Sequence, residues 1–387
     1  MIRAIKVRLY PTKEQEILMF KSAGVARFSY NWGLAYLNNY YEENKKSLGI
    51  GYLRKIFTQL RNTDEFSWLR EVSSEIPQQT LKDLGEAFDN FFQKKGDYPR
   101  FKKKGKCETS FFHLNNKLVV KDNKVKLEKI GYVKIKDEGR LPVGNYKKDK
   151  IKVTNPRIKH NGRYWYLSLG LEIENNEPIE LTGESIGVDL GIKELAVVSN
   201  IDTPFKNINK TKKVKKLNKR LKKFQRKVSR KYDNLKEGKS FKKGEKLKKT
   251  QNIIKLEKEM MLLHKKISDI RLNHIHQTTN TIVKTKPSRV VMETLNIKGM
   301  MKNKHLSKAI GEQAFNKFIN TLKYKCEFNG IELVEADRFY PSSKMCSSCG
   351  SIKKDLKLKD RVYKCECGLV IDRDKNASIN LANYKSA

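Results

Sequence analysis

Two sets of side chains in this sequence have the types and spacing to do chemistry. The first is carboxylate. Asp189 lies at or just past the middle of a strand-like run that opens a hairpin, Ile186-Gly187-Val188-Asp189-Leu190-Gly191. Glu293 ends a second run, Val290-Val291-Met292-Glu293, and Asp372 and Asp374 stand just before the last helical stretch. Each acid alone reads as an ordinary strand-end or loop carboxylate. Together, a strand aspartate, a glutamate closing another strand and an aspartate beside a late helix suit a ribonuclease-H-like site. Phosphodiester hydrolysis by two Mg²⁺ ions, held ~3.5–4 Å apart, needs such a cluster, because the ions stabilise the attacking and leaving oxygens. Hard oxygen ligands suit Mg²⁺, and several carboxylates are needed to hold two dications against hydration. No His or Ser nucleophile is required.

The second set is thiol. Cys346, Cys349, Cys365 and Cys367 fall within 22 residues, as Cys-x₂-Cys and Cys-x-Cys separated by 15 residues. Four thiolates suit tetrahedral Zn²⁺, and two short knuckles joined by a β-rich loop make a zinc ribbon. All four positions are filled by thiolates, so the site reads as closed and the zinc as structural. Clustered cysteines in a large Lys-rich chain read as metal ligands rather than disulfides, which implies a reducing, intracellular setting. Cys107 and Cys326 stand alone and read as free thiols. His274 and His276, two apart on a helical stretch, point to different faces and make a poor metal pair.

The elements that must position these groups can be read from periodicity. Residues 1–10 alternate apolar and basic, as an edge or barrel strand closed by Tyr10-Pro11. Thr12 with Gln15 forms a capping-box pattern that opens a helical region over 12–95. Within it Leu81, Leu84, Phe88, Phe91 and Phe92 predict an amphipathic helix starting after Pro77. Residues 109–180 show short strand-like runs (110–113, 117–120, 132–135, 151–153, 164–172) broken by Gly, Asn and Asp, as in a small barrel. Val214, Leu217, Leu221, Phe224 and Val228, and then Leu256, Met260, Leu263, Ile267 and Ile270, step by threes and fours. These are narrow apolar seams of two helices, most simply an antiparallel hairpin. Further helices are expected over about 309–329 and 375–384, with a strand over 331–336.

The charge says what such a frame would hold. The 387 residues carry 83 Lys and Arg against 43 acids, a net charge of +40, with 38% hydrophobic residues. That is too apolar for a disordered basic tail and too basic for an ordinary metabolic enzyme. Residues 210–250 alone hold 20 Lys and Arg and three acids, net +17, on every helix face outside the seam. Charge of this density and sign points to nucleic acid, with an anionic membrane surface the weaker alternative. No apolar run reaches the ~18–20 residues that span a bilayer, and the N-terminus has no long apolar region of a secretory signal.

A specific likeness now emerges from residues taken in order. They are Arg8-Leu9-Tyr10-Pro11-Thr12, Tyr30-Asn31-Trp32-Gly33-Leu34, Gln79 through Phe92, and Tyr98-Pro99-Arg100-Phe101-Lys102. They continue with Gly187-Val188-Asp189-Leu190-Gly191, Glu293-Thr294-Leu295-Asn296, the Cys-Ser-Ser-Cys-Gly run at 346–350 and Asp372-Arg373-Asp374-Lys375-Asn376-Ala377-Ser378-Ile379-Asn380. Together they resemble the TnpB family of transposon-encoded, RNA-guided endonucleases, relatives of type V CRISPR effector nucleases. The resemblance covers nearly the whole chain.

The resemblance implies a multidomain α+β fold. A wedge β-barrel would comprise 1–10 and 105–181, with a helical recognition insert over 11–104. A RuvC-like (ribonuclease-H-like) α/β nuclease domain would span 182–342 and 371–387, with the basic hairpin at about 208–284. The inserted zinc ribbon would occupy 343–370, its second knuckle tighter than the x₂ spacing common in the family. Asp189, Glu293 and Asp374 would be the catalytic, Mg²⁺-binding acids, with Asp372 the close alternative. Cys346, Cys349, Cys365 and Cys367 would bind zinc. The partners implied are a guide RNA from the transposon end and double-stranded target DNA, with no membrane, for a monomer in the prokaryotic cytoplasm.

In such recognition base pairs read sequence while the protein reads backbone and shape. Lys215, Lys219, Lys222 and Arg226 of the hairpin, with Arg100, Lys102 and Lys103, are the backbone candidates. Gln78 and Gln79 are candidates for reading a short flanking motif at a groove edge. Tyr30, Trp32 and Tyr98 either stack on bases or pack in the core. Two other readings stay open: a cut-and-paste transposase, which also uses three acids on this fold, and an RNA-guided DNA-binding regulator that does not cut.

Overall fold

The computed structural model describes residues 2–105, 107–137, 139–173, 179–236, 249–357 and 360–385. The chain divides into two compact units, Met1–Asn175 and Asn176–Ala387.

The first unit begins with β1 (Ile2–Tyr10) and three helices, α1 (Lys13–Asn44), α2 (Ile50–Asn62) and α3 (Glu75–Phe92). Seven strands follow: β2 (Thr109–Phe112), β3 (Val119–Lys121), β4 (Lys124–Leu127), β5 (Gly131–Lys136), β6 (Gly144–Asn145), β7 (Val153–His160) and β8 (Trp165–Glu172). The Thr12–Gln15 capping box is present, with Gln15 N–H donating to Thr12 Oγ1 at 3.2 Å and Thr12 N–H to Gln15 Oε1 at 3.1 Å. Pro77 lies inside the first turn of α3 rather than before it. That position has no intrahelical N–H bond to lose.

All eight strands join one sheet in the order β2-β7-β8-β1-β5-β4-β3-β6. The expected closed barrel is not formed: among the described residues no pairing joins β2 to β6. Closure needs a full ladder between the two edges, and β6 offers only two residues. The inward residues of the strands and the apolar faces of the three helices form a single core, including Val7, Leu9, Met19, Leu34, Phe57, Leu84 and Trp165.

The second unit is built on the sheet β11-β10-β9-β12-β13, from β9 (Ser185–Leu190), β10 (Glu194–Val198), β11 (Phe205–Lys206), β12 (Arg289–Glu293) and β13 (Glu332–Ala336). β9, β12 and β13 run parallel, whereas β10 returns antiparallel to β9 as a hairpin. Between β11 and β12 lie α4 (Lys212–Lys236) and α5 (Gln251–Lys284). Their predicted seams meet: Val214, Leu221, Leu263 and Ile267 are buried together, with Leu217, Phe224, Met260 and Ile270 packed against them. The pair is antiparallel, since Tyr232 bonds Glu257 at one end (2.6 Å) and Arg271 bonds Asn209 at the other (2.6 Å).

After β12 come α6 (Ile297–Met300), α7 (Ser307–Gln313) and α8 (Phe315–Phe328). The single helix expected over 309–329 is broken at Ala314, which adopts a left-handed conformation (φ 55°). The break lets α7 serve the rest of the unit. Gln313 Nε2 donates to Gly191 O at 2.8 Å, and Glu312 pairs with Arg271 at 3.4 Å. The chain closes with the hairpin β14 (Val362–Lys364) and β15 (Val370–Asp372), then α9 (Arg373–Ala382). Among the described residues no helix is long and apolar enough to cross a membrane.

Candidate active site and cysteine cluster

Strand alternation decides which side chains meet. In β9, Ile186, Val188 and Leu190 enter the core shared with α5 and α8, so Gly187 and Asp189 face the other side. In β12, Val290 and Met292 enter that same core, while Val291 packs on Leu381 of α9. Glu293 follows Val291 by two and shares its face. The parallel register pairs Val291 with Gly187 and Met292 with Val188, so one more step sets Glu293 beside Asp189.

Helix α9 brings the third acid onto this face. Gly187 forms its seat, since a Cβ there would stand 1.9 Å from Ser378 O and 2.5 Å from Ala382 N. Ser185 Oγ donates to Ala382 O at 2.7 Å. The helix therefore lies with its last turn over the start of β9 and its first turn toward Asp189. Lys375 locks that first turn, its ammonium donating to the carbonyls of Val198 (3.2 Å), Ser199 (2.9 Å) and Ile201 (3.0 Å). Asp372 is the N-cap, accepting from Asp374 N–H at 2.9 Å and Lys375 N–H at 3.1 Å. Asp374 sits one step inside the helix.

The electrostatics follow from this placement. Burial pushes the Asp189 carboxyl well above the ordinary carboxylate range, and the charges of Glu293 and then Asp374 push it further. Arg373 opposes them and Asp372 adds a smaller push. Each neighbouring acid has a partner of its own. Ser342 Oγ donates to Glu293. Asp374 Oδ1 accepts from Arg373 Nη2 at 2.9 Å and Nε at 3.2 Å, and Arg361 Nη1 stands 3.6 Å from Oδ2. Crowded, hard carboxylate oxygens on one half-buried face are a donor set that a divalent cation fits.

The cysteines are drawn much closer. All four sulfurs lie within 4.8 Å of one another, and among the described residues no other His, Cys, Asp or Glu group does so. Cys346 and Cys367 are 3.6 Å apart, Cys349 and Cys365 3.5 Å. Corners of a tetrahedron with Zn–S bonds of ~2.3 Å are ~3.8 Å apart, so the cluster fits a structural zinc site. The tight Cys365-x-Cys367 spacing does not prevent this, because Gly368 turns with φ 91° and its N–H bonds Cys365 O at 3.1 Å. Hydrogen bonding to Ser351 pulls the Cys349 thiol down to about 6, whereas at Cys365 a Cys367 backbone hydrogen bond is outweighed by desolvation and the neighbouring sulfurs, which push that thiol up to about 12.

Sequence reading missed how the two clusters are joined. Asn376 and Asn380, both buried on one side of α9, stitch the helix to the segment that leads into the cysteines. Asn376 Nδ2 donates to Met345 O (2.7 Å) and its Oδ1 accepts from Ser347 N–H (3.0 Å). Asn380 Nδ2 donates to Ser342 O (2.7 Å) and Met345 O (2.6 Å). The available signal was two asparagines four apart in a helix, a polar pair on one face.

The predicted nucleic-acid contacts divide. Lys215, Lys219, Lys222 and Arg226 are exposed along α4, and Lys103 is exposed as well. Arg100 is exposed but paired with Asp97 at 3.2 Å. Lys102 is half-buried over the Tyr30 ring (3.7 Å), and burial lowers its pKa against the pull of Asp83. Gln78 accepts from Arg54 Nε at 2.6 Å and donates to Thr58 at 3.0 Å, while Gln79 donates to Asp83 at 3.1 Å. Tyr30 is buried, Trp32 stacks on Tyr36 at 5.2 Å, and Tyr98 is exposed with its hydroxyl on Asn38 at 2.7 Å. A further basic surface escaped the sequence reading. On the outer side of the eight-stranded sheet Arg8 lies over Tyr164 (3.4 Å) and Lys6 over Tyr166 (4.5 Å). Cys326 is buried, its thiol pushed up to about 12 by desolvation, and Cys107 is half-buried.

This architecture is a mixed α/β multidomain fold that resembles Cas12f. It matches the solved chain of a Cas12f1–sgRNA–target DNA complex with a TM-score of 0.58, covering 99% of each chain at 13% identity. Three family models match: a helix-turn-helix domain over 1–46, a "Probable transposase" over 168–304 and a Cas12f1-like TNB domain over 315–381. Over 383 residues the chain is 32% identical to a protein of Streptomyces pristinaespiralis provisionally named an RNA-guided DNA endonuclease, covering 98% of this chain and 88% of that one. It is 27% identical over 394 residues to the similarly named InsQ of Escherichia coli (strain K12), covering 98% and 90%. The chain belongs to the TnpB family. In the segment matched as helix-turn-helix, the structure forms β1 and the single long helix α1.

Proposed function

We propose that this protein is an RNA-guided DNA endonuclease of a transposon. It binds a guide RNA derived from the transposon end, recognises a short motif beside the target and hydrolyses the target's phosphodiester bonds. It acts as a monomeric ribonucleoprotein in the prokaryotic cytoplasm. The reading is supported by the names of its relatives and by one structural observation above others. The register of β9 and β12, with α9 seated on Gly187, gathers Asp189, Glu293 and Asp374 on one face.

Asp189, Glu293 and Asp374 would hold Mg²⁺, which when bound stabilises the attacking and leaving oxygens of the displacement. The chain's own residues do the rest. Ser342 orients the Glu293 carboxylate, Asp372 and Lys375 fix the first turn of α9, and Arg373 and Arg361 hold Asp374. The cysteine ribbon over 343–370 braces that helix through Asn376 and Asn380. The strands and helices of 1–181 serve as wedge and recognition modules. Exposed cations on α4 neutralise nucleic-acid phosphates, each neutralised phosphate releasing counterions.

The test is to purify the protein with its bound RNA, sequence that RNA, and incubate the complex with Mg²⁺ and plasmids carrying a guide match beside randomised flanking bases. Guide-dependent cuts beside one short motif are expected. No cleavage across all flanks would reject the reading. The "Probable transposase" description keeps a second reading in view, and strand transfer without guide RNA in the same assay would favour it.

A further inference from the structure

The loop between β13 and the cysteines arches beside the acids and carries a side chain that the fold does not use. Both feet of the loop are pinned to the end of β12. Thr294 Oγ1 donates to Ala336 O at 2.7 Å, and Ser342 Oγ donates to Glu293. Tyr340 turns inward, its hydroxyl donating to Asn380 O at 3.0 Å and its ring edge-on to Tyr384 at 4.9 Å. Asp337 holds the apex, accepting from Phe339 N–H at 2.7 Å and from Tyr340 N–H at 3.0 Å. At that apex Phe339 is 83% exposed, more than any other large apolar side chain among the described residues. The Arg338 guanidinium lies 5.6 Å from the centre of its ring.

A single exposed apolar residue needs no explanation by itself. Phe339 differs in three respects. Its backbone is fixed at both feet of the loop, it is paired with a cation, and its loop bonds Glu293 directly. It lies three residues from Ser342, so the two Cα atoms are at most about 11 Å apart. That is the reach of a nucleotide flanking a phosphate held at the acids.

We propose that Phe339 is a stacking platform for a base of the DNA strand entering the Asp189–Glu293 site, with Arg338 against the adjacent phosphate. An aromatic ring accepts any base because every base offers a π-face. Such a contact suits a site that must cut whatever sequence the guide has selected. The ring positions the strand and takes no part in the bond breaking. A protein partner is the alternative occupant of this ring and cation, but the net charge of +40 favours a polyanionic substrate.

The inference rests on the nuclease reading, and the experiment separates the two. In a binding arm, the full-length protein with its guide RNA, carrying Asp189→Asn to prevent cutting, is titrated with single-stranded DNA containing 2-aminopurine. Stacking quenches the probe. Phe339→Tyr should keep the quenching, whereas Phe339→Ala should lose it and weaken binding about tenfold, within the range of one base stacked on an aromatic ring. In a cleavage arm without the Asp189 change, Phe339→Ala should raise KM about tenfold and leave kcat within about twofold. An abasic nucleotide beside the cut should cost the wild type as much and the Ala variant nothing further. The melting midpoint should not move, because the ring is exposed. Equal quenching and equal KM in Phe339→Ala would overturn the inference while leaving an active nuclease. Phe339-dependent quenching by a wild type that never cuts would instead remove the nuclease reading and uphold the contact.

Discussion

The cysteine cluster brings its sulfurs to 3.5–3.6 Å in pairs, whereas the acids around Asp189 stand further apart and are individually engaged by Ser342, Arg373 and Arg361. The difference lies in how each is assembled. The cysteines come from two short knuckles within 22 residues, each turned by a glycine of positive φ, and the Tyr363 hydroxyl ties the second knuckle to the first by donating to Lys344 O at 3.1 Å and Ser351 O at 3.3 Å. The acids come from β9, β12 and α9, and only sheet register and helix docking bring them near. A soft, closed thiol set is suited to keep its metal. A crowded, partly countered carboxylate set has reason to take a cation and substrate together. The first is suited to hold the frame, and the second is the site proposed to react.

Substitutions can break this contrast, and the largest effect belongs to the acids. Asp189→Ala is expected to lower guide-dependent cleavage on the order of 10³-fold or more while RNA co-purification is unchanged. Asp374→Ala should behave like Asp189→Ala. Asp372→Ala should instead lose an N-cap worth about 1 kcal/mol, seen as a lower melting midpoint with most activity kept. The reverse pattern would make Asp372 the third metal-binding acid.

Next comes the seat of α9. Gly187→Ala forces a Cβ onto the Ser378 carbonyl, so the helix must shift. A displacement of about 1 Å can cost around 10²-fold in rate. Cleavage should fall by that order and the melting midpoint should drop, while zinc content holds. Cys346→Ser should do the converse, taking zinc well below one equivalent and loosening α9 through Asn376 and Asn380, with a smaller loss of rate. Metal analysis and hydrogen exchange of α9 would check both.

The smallest effect is one of stability. Asp189 has a raised pKa, so its carboxylate costs stability above that pKa, and the cost is relieved as pH falls through it. Asp189→Asn should therefore raise the melting midpoint of metal-free protein at neutral pH by a few degrees, and added Mg²⁺ should narrow the gap.

Local pattern was legible in the sequence, and long-range partnership was not. The seams of α4 and α5, the Thr12 capping box and the strand ends bearing Asp189 and Glu293 follow from periodicity and from residues a few positions apart. The four cysteines follow from spacing. The clamp of Asn376 and Asn380 on the segment near Met345 could not be read that way, because its partners are 29 or more residues distant. Nor could the burial of Lys102 over Tyr30, the engagement of Gln78 by Arg54, or the break at Ala314. Each depends on which faces the tertiary packing brings together. The open sheet was misjudged for a related reason: alternation reports that strands pair, not whether the two edges meet.

The central claim is that one site cuts through an exchangeable cation while the other keeps a structural one. The most direct measurement follows both metals in one preparation. The RNA-loaded protein is freed of Mg²⁺ by gel filtration, assayed for zinc, and given graded Mg²⁺ with matched plasmid. Cleavage that rises from zero with Mg²⁺ at a constant single equivalent of zinc is the predicted result. Full cleavage without added Mg²⁺, or activity that tracks the zinc content instead, would contradict it.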